Sequence, residues 1–263
     1  MNRIDAKFSE LRKARKKAFV AFITAGDPSL RATEVLVPAL GEAGADIIEL
    51  GVPFSDPLAD GATIQAASQR ALKQGVTLRK ILRSVASIRK SSDVPIALMT
   101  YYNPVHHFGV KAFVSAARGA GVDGVIIPDL PVEESGELRS EALRQGLSTI
   151  FFLAPTTDPV RIPGIVKAST GFIYFVSVAG VTGARTELPA DLVGKIRLAK
   201  SRTDKPVCVG FGISAPGQVR ALGKVADGVI VGSAIVQEIC RHAGRRDMPE
   251  RVASLVRRLS SAL

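Results

Sequence analysis

Ala43-Gly44-Ala45-Asp46-Ile47-Ile48-Glu49-Leu50, followed at once by Gly51-Val52-Pro53-Phe54-Ser55-Asp56-Pro57-Leu58-Ala59-Asp60-Gly61, is a short apolar run closed by a break rich in turn-forming residues. Such a run, bounded by Gly and Pro, reads as a strand buried on both faces. The same grammar recurs along the chain. Apolar runs lie at Phe19 to Thr24, Asp46 to Leu50, Pro95 to Thr100, Gly124 to Pro128, Ser148 to Leu153, Phe172 to Val176, Pro206 to Val209 and Gly228 to Val231, with helical spacing between them. Strands alternating with helices build a parallel sheet, and eight of them close a barrel. The expected fold is α/β: a single (β/α)8 TIM barrel over residues 1–263 with an extra N-terminal helix. An open doubly wound sheet shares the grammar but normally carries GxGxxG after its first strand, where this chain has Thr24-Ala25-Gly26-Asp27-Pro28.

Three segments, AGADIIEL, AGVDGVII and VADGVIVG, form a faint internal repeat that puts Asp46, Asp123 and Asp227 at the amino ends of strands. That face of a barrel serves stability, which removes all three from the candidate site. Leu36, Leu40 and Ala43 share a helical face, as do Ile81, Val85 and Ile88. Pro38 interrupts the first of these patterns, predicting a kink or a later helix start. Residues from Pro249 to Leu263 read as a closing helix with Val252, Leu255, Val256 and Leu259 inward.

Composition narrows the function classes. With 46% hydrophobic and 22% charged residues the chain can bury a core, unlike a disordered one. No apolar run approaches the roughly 18 residues of a membrane span, and Met1 to Lys17 lacks a signal-peptide core, so a cytoplasmic protein with no membrane partner is expected. Cys208 and Cys240 suggest neither a disulfide framework nor a zinc site, and no metal is expected. The net charge of +11 permits attraction of an anionic substrate or of nucleic acid. Its densest stretch, Arg12, Lys13, Arg15, Lys16 and Lys17, follows Ile4, Phe8 and Leu11 at helical spacing and reads as a solvated helix face. No aromatic platform or reading motif accompanies it, so no nucleic-acid partner is expected.

The chemistry should lie in the breaks that follow the strands. In the second run Ile47, Glu49 and Gly51 share one face, so Glu49 is expected to be buried, with a raised pKa suited to acid/base work. The bland alternative is a Glu paired with Arg or Lys, yet no basic residue lies near it in the sequence. The long loop after it carries Asp56 and Asp60. Gly210-Phe211-Gly212-Ile213-Ser214 after the seventh run and Gly232-Ser233-Ala234 after the eighth read as an anion cradle, the common phosphate site of such barrels. Ala179 to Arg185 is a third glycine-rich loop, able to close over a ligand. His106 and His107, in an expected loop, lack the partners of a metal site. These features by themselves leave open several phosphate-handling barrel enzymes.

The segment IELGVPFSDPLADGATIQ, from Ile48 to Gln65, resembles the signature of the tryptophan synthase alpha chain family. AFITAGDP, LMTYYNP, IIPDLPVEE, GVTGAR, GFGIS and VGSAIV extend the likeness over nearly the whole chain, although Ala62 replaces a frequent Pro. The resemblance implies a carbon–carbon lyase of tryptophan biosynthesis that cleaves indole-3-glycerol phosphate into indole and glyceraldehyde 3-phosphate. It implies Glu49 as general acid/base and Asp60 as the second catalytic carboxylate. It assigns the substrate phosphate to Gly183, Phe211, Gly212, Gly232 and Ser233, the indole pocket to Phe22, Met99, Ile126 and Tyr174, and loop closure to Thr182. A beta chain is implied as partner in an α2β2 heterotetramer, docking on Pro53, Asp56, Pro57, Asn103, Pro104, Phe108 and Pro131. The implied cofactor, pyridoxal phosphate, belongs to that beta partner, and none is expected in this chain.

Overall fold

The computed structural model describes residues 2–176 and 190–263. Helix α1 (Arg3–Lys13) precedes β1 (Ala18–Thr24) and α2 (Leu30–Glu42), and β2 (Ile47–Gly51) leads through a long loop to α3 (Ala62–Lys73) and α4 (Leu78–Ile88). Then come β3 (Ile96–Met99), α5 (Tyr102–Phe108), α6 (Val110–Ala120), β4 (Gly124–Ile126), α7 (Gly136–Gln145), β5 (Ser148–Ile150), β6 (Phe152–Leu153) and α8 (Ile162–Ala168). The chain ends with β7 (Ile173–Val176), α9 (Ala190–Ser201), β8 (Val207–Gly210), α10 (Pro216–Gly223), β9 (Gly228–Val231), α11 (Ser233–Arg241) and α12 (Met248–Ser260).

All strand pairs are parallel, in the order β5-β4-β3-β2-β1-β9-β8-β7-β6. Only Phe151 separates β5 from β6, so the two outer edges of the sheet are one piece of chain. The fifth expected strand is thus broken at Phe151, its first half pairing with β4 and its second with β7. The result is the expected α/β barrel, which leaves no long sheet edge for another chain to pair with.

Strand alternation sorts the core into two sets. Phe19, Ala21, Ile23, Ile48, Leu50, Ile96 and Leu98 face the helices, whereas Val20, Ile47, Ala97, Ile126, Ile150, Phe172, Cys208 and Ile230 fill the barrel. Ile4, Phe8 and Leu11 of α1 join the inner set, with Phe8 and Phe172 ring centroids 5.8 Å apart. Helix α1 is therefore the barrel's floor, and each of its three apolar anchors contributes roughly 1.5–3 kcal/mol by burial.

The repeated aspartates share one construction at this floor. Asp46 accepts the Phe19 N–H at 2.8 Å, Asp123 that of Ile96 at 3.0 Å, and Asp227 that of Val207 at 3.1 Å. Each thereby satisfies the entering backbone of the strand beside its own, and Asp123 is further clamped by Arg89 and Arg3. Two expectations change. Helix α2 starts at its Ser29 cap and runs through Pro38 to Glu42, because burial of Leu36, Val37 and Leu40 outweighs the missing N–H. His106 and His107 lie in α5 and not in a loop.

Candidate active site

Glu49 sits two residues above Ile47 on the inward face of β2, in register with Phe22 of β1 and Ala97 of β3. It is 0% exposed, and neither carboxylate oxygen has a hydrogen-bond partner among the described residues. The other buried acidic residues are satisfied: Asp27 by Arg70, Asp123 by Arg89 and the Ile96 N–H, and Glu141 by Gln145 and Arg144. A buried carboxylate without a partner pays its full desolvation penalty and holds its proton. Desolvation, and then the charge of Asp60, push the Glu49 carboxyl up from 4.5 to about 8.

Asp60 comes from the loop between β2 and α3. Its own N–H donates to Pro57 O at 3.0 Å, and Gln65 Nε2 donates to its carbonyl at 2.8 Å, which fixes the backbone at the start of α3. Tyr101 pins the same loop. Its ring stacks on Phe54 at 5.1 Å, and its hydroxyl accepts the Ala59 N–H at 2.9 Å. Burial raises the Asp60 carboxyl to about 6, while its hydrogen bond with Tyr101 pulls it down. The two carboxyls are thus driven apart: near neutral pH Glu49 keeps its proton and Asp60 is mostly ionised. Asp56 is exposed and bonded to its neighbour Ser55, so the fold brings only one of the loop's two aspartates to Glu49.

Both groups line a cavity of about 540 Å³ at the carboxyl ends of the strands. Phe22, Met99, Pro128, Phe152, Tyr174 and Ile230 supply apolar wall. Gly210, Phe211, Gly212, Gly232 and Ser233 supply a second, backbone-rich wall. Gly232 caps α11, whose N-terminal N–H groups open there, a natural anion site. Gly212 has φ +57, a left-handed conformation that favours glycine. Gly51 is needed for another reason: a Cβ there would stand 2.6 Å from the Phe22 ring.

A protonated carboxyl, an ionised one, an apolar wall and an anion-favouring backbone wall around a single cavity suit general acid/base chemistry on a small molecule that carries both an apolar ring and a phosphate. The family model for the tryptophan synthase alpha chain matches residues 8–263. The chain belongs to the tryptophan synthase alpha chain family. The alpha chain of Geotalea daltonii is 50% identical over 263 residues, covering 100% of this chain and 99% of that one. A crystal structure of the alpha subunit from Legionella pneumophila superposes with TM-score 0.93 at 36% identity, covering 100% of this chain and 98% of that one. The alpha chain in a tryptophan synthase α2β2 complex from Pyrococcus furiosus gives TM-score 0.87 at 43% identity, covering 92% and 97%. As a tryptophan synthase alpha chain, the protein is a lyase that cleaves indole-3-glycerol phosphate in tryptophan biosynthesis.

Within this alpha chain, Phe22, Glu49, Met99, Asp60, Tyr174, Phe211, Gly212, Gly232 and Ser233 meet at one cavity. Ile126 is fully buried, in register with Met99 on one side and Ile150 on the other, and it is Pro128, two residues on, that stands in the cavity wall. Thr182 and Gly183 lie outside the described residues. Pro53, Asp56, Pro57, Asn103, Pro104, Phe108 and Pro131 all sit in segments that follow β2, β3 and β4, around the same end of the barrel. Asp56, Asn103 and Pro131 are exposed there, and Leu58 between them is 93% exposed. Tyr101 and Phe152 were missed as site residues. Each stands two positions beyond an inward residue, Met99 and Ile150, and that alternation was the available signal.

Proposed function

We propose that Glu49 and Asp60 divide the cleavage of indole-3-glycerol phosphate between them. The observation that carries this is the Glu49 carboxyl, fully buried, unpartnered and facing a cavity that also holds Asp60. Protonated Glu49 donates its proton to the indole ring carbon bearing the glycerol chain, which places positive charge on the ring nitrogen. Ionised Asp60 stabilises that charge through the ring N–H. Glu49, now a carboxylate, takes the proton of the adjacent glycerol hydroxyl. The carbon–carbon bond then breaks, its electrons return to the ring, and indole and glyceraldehyde 3-phosphate leave with Glu49 protonated again. Phe22, Met99, Phe152 and Tyr174 hold the indole, while Phe211, Gly212, Gly232 and Ser233 hold the phosphate, with Gly183 as a further contact and Thr182 in the closing loop.

The mouth residues Pro53, Asp56, Pro57, Asn103, Pro104, Phe108 and Pro131 dock a beta chain in an α2β2 assembly, which receives the indole and carries pyridoxal phosphate. Their common position in the segments that follow β2, β3 and β4, around the mouth of the cavity, supports this surface. A cytoplasmic location accompanies the biosynthetic role. The test is indole release from indole-3-glycerol phosphate, with and without a tryptophan synthase beta chain. Glu49→Gln and Asp60→Asn are expected to lower turnover about 10²–10⁴-fold and 10²–10³-fold. A folded Glu49→Gln variant with full activity overturns the assignment.

A further inference from the structure

The catalytic cavity contains no basic residue among its described lining, although the chain's net charge is +11. At the opposite end of the barrel a second cavity, of about 400 Å³, opens between the C-terminal end of α1 and the segments entering β8 and β9. Arg12, Arg15, Lys16, Lys17, Lys200 and Lys205 line it, against only two carboxylates, Asp204 and Asp227. Lys17 and Lys200 share Asp227, at 3.5 and 2.7 Å, and Asp227 also accepts the Val207 N–H. Lys205 donates to the carbonyls of Val166 and Ser169, and Arg12 to that of Asp204, so neither gives up its charge to a counter-ion there. Arg15 and Lys16 have no ion pair and no side-chain hydrogen bond among the described residues.

Arg15 is held in an unusual way. The Lys16 N–H closes the end of α1 onto Leu11 O at 2.9 Å, and the residue inside that turn must be left-handed. Glycine normally fills the position, yet here Arg15 does, with φ 55, and it is the sole non-glycine with positive φ among the described residues. A strained backbone therefore presents a guanidinium at the rim of a cationic cavity. Phe8 and Pro206 supply an apolar side to the same space.

We propose that this cavity binds a small oligophosphate, with the phosphates between Arg15, Lys16, Lys17 and Lys200. Guanidinium and clustered ammonium groups match several adjacent anionic oxygens, and a concave site of this size takes a compact anion and not a nucleic-acid track. The site is distinct from the catalytic cradle: Lys205 and Pro206 precede β8, whereas Phe211 and Gly212 follow it.

The test is calorimetric titration of the full chain with inorganic tripolyphosphate, with a nucleoside triphosphate in a parallel arm. Equal affinity for both assigns the site to the phosphates alone; tighter nucleotide binding adds the Phe8 and Pro206 side. Arg15→Gly, which suits the left-handed position, and Lys16→Gln are each expected to weaken binding about tenfold while indole release holds and melting temperature holds or, for Arg15→Gly, rises. Arg31→Gln, which removes the same charge at the exposed start of α2 beyond the other end of β1, is expected to leave binding unchanged. Absence of saturable binding, an equal loss in Arg31→Gln, unchanged affinity in Arg15→Gly, or tighter binding of single-stranded RNA per phosphate overturns the proposal.

Discussion

Replacing Glu49 with Gln is expected to remove a component of the protein's pH-dependent stability between about pH 6 and about pH 8. In the unfolded chain the carboxyl titrates near 4.5, whereas burial in the barrel moves it to about 8. Between those values the native state holds a proton that the unfolded state has lost. Stability from this group is therefore complete below the unfolded value and is lost as pH rises through the folded one. The slope is about 1.4 kcal/mol per pH unit, and with half-titration at the upper limit the loss from about pH 6 to about pH 8 comes to about 2 kcal/mol. Gln carries no such proton. Its fixed cost as a buried amide cancels when each protein is compared with itself at the two pH values. Urea unfolding with a shared m-value measures the difference, and groups that titrate alike in both proteins drop out. If wild type and Glu49→Gln lose the same stability over this interval, the native carboxyl is not protonated and the acid role assigned to Glu49 fails with it.

Three further outcomes are expected. The kcat/KM for indole-3-glycerol phosphate should be bell-shaped, limited near pH 6 by protonation of Asp60 and near pH 8 by ionisation of Glu49; Tyr101→Phe removes the bond that lowers Asp60, so its acid limb should move to higher pH, and a limb that stays put or moves down contradicts the pairing. Gly212→Val forces a β-branched residue into φ +57 and should raise KM about tenfold through the phosphate contact, with little change in the two pH limbs; an unchanged KM removes Gly212 from the cradle. Asp123→Asn leaves Arg89 and Arg3 without their buried partner and should cost about 3–5 kcal/mol in urea unfolding, while the surviving folded enzyme keeps its pH limbs, as befits the stability face of the barrel.

The alternation Ile47, Glu49, Gly51 and the order of eight apolar runs were legible in the chain because strand period and turn chemistry are local properties. They placed Glu49 inside a barrel, put Asp46, Asp123 and Asp227 at its other end, and singled out Gly210, Gly212 and Gly232, which line the cavity. Height within the barrel is not local. It depends on how neighbouring strands are staggered, and only the fold sets Ile126 opposite Met99 and puts Pro128, two residues on, in the cavity wall. The choice between Asp56 and Asp60 was equally closed to sequence spacing, since it rests on Tyr101 from a different strand end gripping the Ala59 N–H. The basic run at the end of α1 reads as any solvated helix face until the fold sets it against Lys200 and Lys205, nearly two hundred residues later. Local sequence determined which face each side chain takes; tertiary structure alone decided which distant groups share a cavity, because burial and charge coupling act through space and not along the chain.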